Sequence, residues 1–225
     1  IVVGNKTKLM AASCPAGPAF EGGEVTYAMP GYDGAIEKFY FDDTEPKTET
    51  IGNLTPEGIC GSGLIDILSE LKTKGIMNEL GVFADNAQEY LVSKLGNITL
   101  TRSDVSVLAQ AKSANSCGQS IVLRKYPADL SSFKKIYLSG GFANYINVEH
   151  AKNIGFIIDL PEAEVIKIGN GSLEGATLML LSKTLRNSIE NLVNGIEHVE
   201  LETTHDFFEF FVEGCQFKPI DNRLL

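Results

Sequence analysis

The sequence predicts an α/β protein in which strands and helices pack in layers. In the second half of the chain, short apolar runs typical of strands, at residues 135–139 and 164–168, alternate with helical patterns at residues 147–153 and 170–193. Such alternation is typical of a sheet covered by helices. Three apolar runs also end in glycines where a helix begins, and 225 residues are enough to bury a core. We therefore expect a mixed sheet with flanking helices.

The first part of the chain predicts two hairpins and an ordered loop. Two strand-like runs flank the polar turn Gly4-Asn5-Lys6, a pattern typical of a β-hairpin. Residues 15–36 are rich in glycine and proline but contain spaced apolar residues, which favours an ordered loop and strand over a flexible linker. Residues 41–58 are polar and rich in turn formers, so we expect an exposed hairpin there.

Two helices are predicted in the middle of the chain. Apolar residues recur at helical spacing within residues 64–74, and Gly75 is suited to end that helix. Thr101 or Ser103 is suited to cap the second helix, which has Asp104 in its first turn and continues for several turns.

The elements after the second helix are shorter. Residues 135–139 predict a short buried strand, and residues 164–168 predict another strand. Between them, Asn147 is suited to cap a short helix that ends at Gly155.

The last part of the chain predicts a long helix and a tail. Residues 170–193 form one helical pattern capped near Ser172, and its inner face consists of Leu173, Ala176, Leu180, Leu181, Leu185, Ile189 and Leu192. After about residue 195 we expect one strand and one short acidic helix. That helix carries aromatic residues on both sides, namely Phe207, Phe208, Phe210 and Phe211. These residues either pack only on the core or also contact another subunit.

Composition excludes several classes of function. The formal net charge of -10 would repel a polyphosphate backbone, so we expect no nucleic-acid surface. No apolar run approaches the roughly 18 residues of a membrane helix, and we expect no membrane partner. Cys14, Cys60, Cys117 and Cys215 are far apart, with no paired spacing. We therefore expect no metal site and interpret the thiols as those of a reduced, cytoplasmic protein.

Three glycine-rich corners join a strand to a helix, at residues 58–66, 137–145 and 166–176. Glycine lets a ligand approach the main chain, and a helix start presents unpaired N–H groups. Three such corners together are suited to a nucleotide. The alternative is that each glycine meets only a geometric need of the turn.

Four segments, in this order, resemble the C-terminal portion of the reductive activators of corrinoid enzymes: "ASCPAGPAFEGG", "GICGSGLIDILSEL", "YLSGGFANYINVEHAKNIGF" and "IGNGSLEGATLMLLS". The resemblance covers nearly the whole chain. It implies a ribonuclease-H-like ATPase fold similar to that of actin, sugar kinases and heat-shock chaperones, in which two lobes close over ATP. On this basis we expect residues 1–195 to form the second lobe and residues 196–225 to form a C-terminal strand-helix extension packed on it.

The resemblance also implies a set of nucleotide-binding residues. Gly140 and Gly141 match the element that lies against the adenosine, and the other residues implied at the nucleotide are Gly61, Ser62, Gly63, Phe142, Asn144, Gly169 and Gly171. Asn144 is equally suited to cap a helix. ATP with Mg²⁺ is the implied cofactor, together with a [2Fe–2S] cluster in an N-terminal domain that is absent from this sequence.

The family's activity is the ATP-dependent reduction of an inactive Co(II) corrinoid to Co(I). The resemblance therefore implies a corrinoid protein of a methyltransferase system as partner, and a homodimer. The sequence begins at Ile1 with no methionine, so we expect a piece of a longer protein that alone binds adenosine weakly and does not hydrolyse ATP. The alternatives are a small-molecule kinase of the same superfamily and a non-catalytic docking module for a corrinoid protein.

Four further residues have a functional and a structural interpretation. Glu21 is a candidate to act on a water molecule or a metal-bound water, or else a capping or surface residue. Cys60 has no neighbouring base and is interpreted as a packing residue. Asp66 lies near a helix start, where the helix dipole stabilises a carboxylate. His150 is assigned to a helix surface, without a role.

Overall fold

The computed structural model describes residues 1–224. The strands within them are β1 (Val2–Gly4), β2 (Leu9–Ala11), β3 (Ala35–Asp42), β4 (Glu45–Thr50), β5 (Gly58–Ile59), β6 (Glu89–Ser93), β7 (Ile98–Thr101), β8 (Lys135–Leu138), β9 (Glu164–Lys167) and β10 (Ile196–His198). The helices are α1 (Gly61–Thr73), α2 (Arg102–Lys125), α3 (Gly141–Tyr145), α4 (Val148–Asn153), α5 (Gly171–Leu181), α6 (Lys183–Asn194) and α7 (Phe207–Gly214).

The strands form four small sheets, whereas the sequence predicted one mixed sheet. Their orders are β1-β2-β10, β4-β3-β5, β6-β7 and β8-β9. Three of them are built on a hairpin of consecutive strands, because short turns keep strand pairing local. The first two sheets contain both parallel and antiparallel pairs. The predicted α/β class and the hairpin at Gly4 are confirmed. The second hairpin is present, but it is β3–β4 and so begins and ends earlier than the predicted residues 41–58, and Phe39 in its first strand is fully buried.

Helix α1 is the centre of the larger of two apolar cores. It packs on β3 and on α4, and its side chains Leu64, Ile67 and Leu68 are fully buried. The helix begins at Gly61, earlier than predicted. It ends where predicted, because Gly75 has a φ of +70° and its N–H donates to the carbonyl of Lys72.

The predicted cap of α2 is confirmed in detail. Thr101 Oγ1 accepts a hydrogen bond from the N–H of Asp104, and the Asp104 carboxylate accepts one from the N–H of Thr101. The same carboxylate accepts two hydrogen bonds of 2.9 Å from Thr26, which ties the loop of residues 15–36 to α2. Burial alone would raise the pKa of Asp104, but these hydrogen bonds lower it below its usual value.

The prediction of a buried strand at residues 135–139 is correct for the strand and wrong for its burial. β8 pairs in parallel with β9. The side chain of Tyr137 on β8 is 57% exposed, and Ile136 and Leu138 are half-buried. Within the described residues these two strands form a sheet of their own, so neighbouring elements cover its faces only in part.

The predicted long helix of residues 170–193 is two helices, α5 and α6. Ser182 between them has an extended conformation, with φ −137° and ψ 112°, and its Oγ accepts a hydrogen bond from the N–H of Leu185 at 3.2 Å. The cap of α5 is Asn170 and not Ser172. The predicted inner face is also wrong, because Leu180 and Leu181 are both 78% exposed. The periodicity is present, but the described residues do not cover this face, and Leu173, Leu185 and Leu192 on it are exposed as well.

The tail joins the body through a strand and a helix. β10 pairs in parallel with β2, and α7 packs along α2. Arg124 on α2 holds Asp206, at the start of α7, through two hydrogen bonds. Of the aromatic residues of α7, Phe208 is 77% exposed, whereas the other three pack on the second apolar core: Phe207, Phe210 and Phe211.

Candidate functional site

Two of the three glycine-rich corners lie side by side. Because β8 and β9 are parallel neighbours, the turns at their carboxyl ends meet at one edge of the sheet. The N–H of Gly140 donates to the carbonyl of Gly169 at 2.7 Å. The hydroxyl of Ser139 donates to the same carbonyl at 3.3 Å and accepts from the N–H of Gly171 at 3.1 Å. The corners at residues 137–145 and 166–176 are therefore tied together.

The third corner meets the first through an aromatic ring. A Cβ atom placed on Gly61 would lie within 3.0 Å of the Phe142 ring and 2.6 Å from the carbonyl oxygen of Phe20. Phe142 also packs on Phe156, with ring centroids 5.9 Å apart. The start of α1 and the start of α3 are thus in direct contact, and all three corners are gathered in one region.

A cavity of about 480 Å³ opens between α1 and α3. Its volume is within the range of sites for small ligands. Most of its wall is apolar and is formed by Phe20, Met29, Pro30, Ile51, Phe142 and Tyr145. Gly61 and Gly141 contribute main chain to the wall, and Glu21, Glu37 and Ser62 contribute polar groups. The cavity is suited to a flat, largely apolar group that carries a few hydrogen-bonding atoms.

The main chain at the end of β8 is open. Apart from the neighbouring residues in the chain and the backbone of α3, a Cβ atom on Gly140 or Gly141 would have no described atom within 4 Å. Gly140 has a φ of +111° and a ψ of 158°, a conformation that only glycine adopts readily. Gly141 has neither an unusual backbone conformation nor a close neighbour among the described residues, so neither feature requires glycine at this position. The open space beside it adjoins the cavity.

The glycines of α1 have packing roles instead. A Cβ atom on Gly63 would lie within 3.0 Å of the carbonyl oxygen of Ile36 in β3. Gly63 does not line the cavity. At this corner, the glycines let the helix approach β3 and the Phe142 ring closely.

The structure thus divides the predicted site residues into two groups. The residues that line the cavity are Glu21, Gly61, Ser62, Gly141 and Phe142, whereas Gly63, Gly140, Asn144, Gly169 and Gly171 lie outside its wall. Asn144 is exposed, and its carbonyl accepts a hydrogen bond from Lys167 at 3.1 Å. The helix cap that follows it is Asn147, not Asn144. A Cβ atom on Gly171 would lie 2.6 Å from Ser139 Oγ, so this glycine also has a packing role.

The cavity is acidic. The ionisable residues in its wall, apart from the thiol of Cys60 and the phenol of Tyr145, are Glu21 and Glu37. Carboxylates accept hydrogen bonds and repel phosphates, so the cavity favours a nucleoside over its phosphate groups. The start of α1 has no side-chain cap, which leaves its first N–H groups available.

Two side chains at this corner are held by main-chain carbonyls. Ser62 Oγ donates to the carbonyl of Glu37 at 3.0 Å, and the Cys60 thiol donates to that of Ile36 at 3.4 Å. Cys60 is buried and packs where α1 begins. These contacts agree with the interpretation of Cys60 as a packing residue.

A cluster of charged residues behind the cavity was not predicted from the sequence. His150 on α4 was assigned to a helix surface, but its ring is half-buried against α1. Nδ1 lies 2.7 Å from Asp66 Oδ1, and Nε2 lies 3.4 Å from Glu70 Oε1. Asp66 and Glu70 are one turn apart on the same face of α1, and that pair of acids was the signal available in the sequence.

Residues 1–224 contain no group of three or more side chains arranged to bind a metal ion. None of their helices is both long enough and apolar enough to cross a lipid bilayer.

The fold and the three gathered corners define an ASKHA domain. This is the class of ATPase domains shared by actin, sugar kinases and heat-shock chaperones, and it is the class that the sequence motifs predicted. A family model described as the C-terminal domain of RACo, the ASKHA domain, matches residues 1–224. The chain belongs to this family.

Two relatives extend the comparison. A solved structure of a "Reductive activator for corrinoid,iron-sulfur protein" superposes with a TM-score of 0.87 at 30% identity, over 100% of this chain and 39% of that one. The "Corrinoid activation enzyme RamQ" of Eubacterium limosum is 31% identical over 96% of this chain and 41% of its own length. The chain therefore spans about two fifths of the length of these relatives.

Proposed function

We propose that this chain is the nucleotide-binding part of a reductive activator that returns a corrinoid protein from Co(II) to Co(I). In this proposal, residues 1–195 are the second lobe of an actin-like ATPase fold and residues 196–225 are an extension packed on it. The observation that carries it is the open main chain at Gly140 and Gly141 beside a cavity of about 480 Å³. The names of the two relatives support the activity.

The residues of the cavity fit the nucleoside of ATP. The bare main chain at Gly140 and Gly141 would lie against the adenosine, and the Phe142 ring beside it offers an apolar surface for the base. Ser62 and the carboxylates of the wall would accept hydrogen bonds from hydroxyl or amino groups. Gly63, Asn144, Gly169 and Gly171 would support the corners without contacting the base. When bound, ATP with Mg²⁺ supplies the free energy of phosphate hydrolysis.

The catalytic part of the proposal is limited to one residue. Glu21 lines the cavity and is exposed, so its carboxylate is the candidate to orient a water molecule. The described residues offer no group of three metal ligands, so we propose that Mg²⁺ binds through the phosphates and residues outside this chain.

A [2Fe–2S] cluster does not fit this chain. Such a cluster needs four convergent thiolates. The four cysteines are free, and within residues 1–224 they form no cluster of metal ligands. We propose that the cluster belongs to an N-terminal domain outside this sequence and that it supplies the single electron that converts Co(II) to Co(I).

We further propose a corrinoid protein of a methyltransferase system as partner, a homodimer, and a cytoplasmic location. The names of both relatives support the partner. The exposed Phe208 on α7 offers an apolar contact for a second subunit. The free thiols suit a reducing compartment.

The first experiment replaces Gly141 with valine in the full-length protein and measures ATP affinity by calorimetry. The valine side chain would fill the space of the adenosine, so we expect affinity to fall at least about tenfold. Gly175→Val is the matched control, because a Cβ atom on Gly175 also has no described atom within 4 Å but lies outside the cavity wall. If Gly141→Val binds ATP as tightly as the control does, the adenosine assignment is wrong and a docking module is favoured.

The second experiment follows the cobalt absorption spectrum of a corrinoid protein mixed with the full-length protein and a reductant. We expect Co(I) to form only when ATP is present. A Co(I) signal independent of ATP would contradict the activator, and transfer of phosphate to a small molecule would indicate a kinase.

A further inference from the structure

A buried ionic cluster joins two helices that both lead to the cavity. His150 on α4 contacts two carboxylates on α1, with Nδ1 2.7 Å from Asp66 and Nε2 3.4 Å from Glu70. Asp66 is only 6% exposed, and its second oxygen accepts the N–H of Phe39 at 3.3 Å. Each ring nitrogen of His150 therefore faces a carboxylate oxygen.

This geometry specifies the charge of the ring. A neutral imidazole carries its single N–H on one ring nitrogen, whereas an imidazolium both hydrogen-bonds Asp66 through Nδ1 and places a positively charged N–H 3.4 Å from Glu70, as an ion pair. The charged form also neutralises the buried carboxylate of Asp66 and the half-buried one of Glu70, and a buried charge without a partner is costly. The arrangement is therefore complete only when His150 is protonated.

Other charged groups near the cluster do not replace His150. Lys38 on β3 is close enough to interact with the charge of Asp66, but its side chain is exposed and forms an ion pair with Glu49 at 2.7 Å. Lys72 on α1 donates to Asn153 instead, at 2.9 and 3.0 Å. On α4 itself, Glu149 adds a further negative charge near the ring. Among the described residues that face Asp66 and Glu70, His150 is the cation in direct contact with both.

The cluster links the two walls of the cavity. One wall is the start of α1, at Gly61 and Ser62, about one turn before Asp66. The other is α3, with Gly141 and Phe142, and only two residues separate α3 from α4. The position of α4 on α1 therefore sets how closely α3 approaches the start of α1.

We propose that His150 is a positioning residue for the nucleotide: its bridge to Asp66 and Glu70 holds α3 and α1 at the separation that the nucleoside requires. This inference rests on the proposed function of the cavity. His150 does not line the cavity and acts through the helices. Losing the bridge lowers the fraction of molecules with correctly placed walls, and apparent affinity falls by the same fraction.

The pKa of His150 predicts the direction of a pH effect. Burial alone lowers this pKa, but the hydrogen bond and charge of Asp66, with the charges of Glu70 and Glu149, raise it above the usual value of 6.5. A histidine with a raised pKa contributes its full stabilisation below about pH 6.5, and the contribution is lost as the pH rises through the folded-state pKa. Nucleotide affinity is therefore expected to be highest in the acidic range and to fall in the alkaline range.

The test compares four forms of the full-length protein, the wild type and three variants, at about pH 6, below the usual pKa of histidine, and at about pH 9, well above it. Calorimetry with ATP and Mg²⁺ measures affinity, and the titration of the ligand itself is common to all forms. The wild type is expected to lose affinity by about fivefold or more between the two values, an effect within the range of coupling energies between sites. His150→Gln is expected to bind ATP weakly at both pH values and to lack the fivefold loss of affinity that the wild type shows.

Asn153→Ala is the matched control. Asn153 Nδ2 donates to Ser69 Oγ at 2.9 Å and so joins the same two helices, one turn farther from the cavity. This variant weakens helix packing without removing the titrating group, so it should retain the pH dependence of the wild type. If it loses that dependence as His150→Gln does, general loosening of α4 explains the effect and the proposal is overturned.

A second variant guards against a folding defect in His150→Gln. Asp66→Asn keeps a polar side chain of the same size and removes the charge that holds the imidazolium, so we expect reduced dependence of affinity on pH. If either variant is folded and keeps the pH dependence of the wild type, His150 is not the positioning residue. If the wild type binds no ATP at either pH, the proposed nucleotide-binding function is contradicted, independently of the role of His150. In that case the melting temperature tests the bridge of His150 to Asp66 and Glu70. Between about pH 6 and about pH 9 it should fall more in the wild type than in His150→Gln.

Discussion

Two corners with similar glycine patterns have opposite surroundings. At residues 58–66, Cβ atoms on Gly61 and Gly63 would each lie within 3.0 Å of existing atoms. At residues 137–145, Cβ atoms on Gly140 and Gly141 would have no described atom within 4 Å. At the first corner the space beside the glycines is filled by protein, although Gly61 and Ser62 still line the cavity, whereas at the second corner that space is open. The same sequence pattern therefore serves close packing in one place and leaves room for a ligand in the other.

The largest expected effect is at the filled corner. Gly63→Ala would press a methyl group against the carbonyl of Ile36, and this carbonyl cannot move without disturbing β3. We expect the free energy of unfolding in urea to fall by about 2 to 3 kcal/mol, as for overpacked cores.

Gly175→Ala is the control for that experiment. It adds the same methyl group inside a helix with no described atom within 4 Å, so stability should stay constant or rise by about 0.5 to 1 kcal/mol. Equal losses in both variants would mean that helical glycines matter here for reasons other than contact, and the contrast between the corners would disappear.

Local signals in the sequence predicted most of the elements that surround these corners. Thr101, one of the two cap candidates of α2, the stop at Gly75 and the hairpin at Gly4 were all correct, because each depends on residues a few positions apart. The strand-to-helix corners were identified for the same reason. Local pattern could not show which glycines were packed and which were open.

Long-range contacts account for the errors. His150 and Asp66 are 84 positions apart, so nothing near His150 in the sequence reveals its partner. The leucines of α5 and α6 repeat with helical spacing, but periodicity does not say whether another element covers that face. The break at Ser182 also lacks a strong local signal, since serine is tolerated within helices.

A smaller effect separates backbone strain from space at the open corner. Gly140→Ala and Gly141→Ala both add a methyl group to empty space, but only Gly140 has a positive φ, of +111°. We expect Gly140→Ala to lower the free energy of unfolding by about 1 to 2 kcal/mol, and Gly141→Ala to change it by less than about 0.5 kcal/mol. Urea denaturation of both variants measures the difference. A large loss in Gly141→Ala would mean that the corner is filled by protein after all.

The smallest effect tests whether an open glycine needs a ligand to explain it. Gly75 resembles Gly140 in having a positive φ and no described atom within 4 Å of a Cβ, yet it lies at the end of α1, outside the cavity wall. Its φ of +70° is in the left-handed region that asparagine tolerates, so Gly75→Asn should cost only a few tenths of a kcal/mol and Gly75→Ala about 1 kcal/mol in urea denaturation. Neither variant should change ATP affinity, because the helix stop alone accounts for this glycine. If Gly75→Ala weakened ATP binding as much as Gly141→Val, open space around a glycine would no longer distinguish a binding position from a turn.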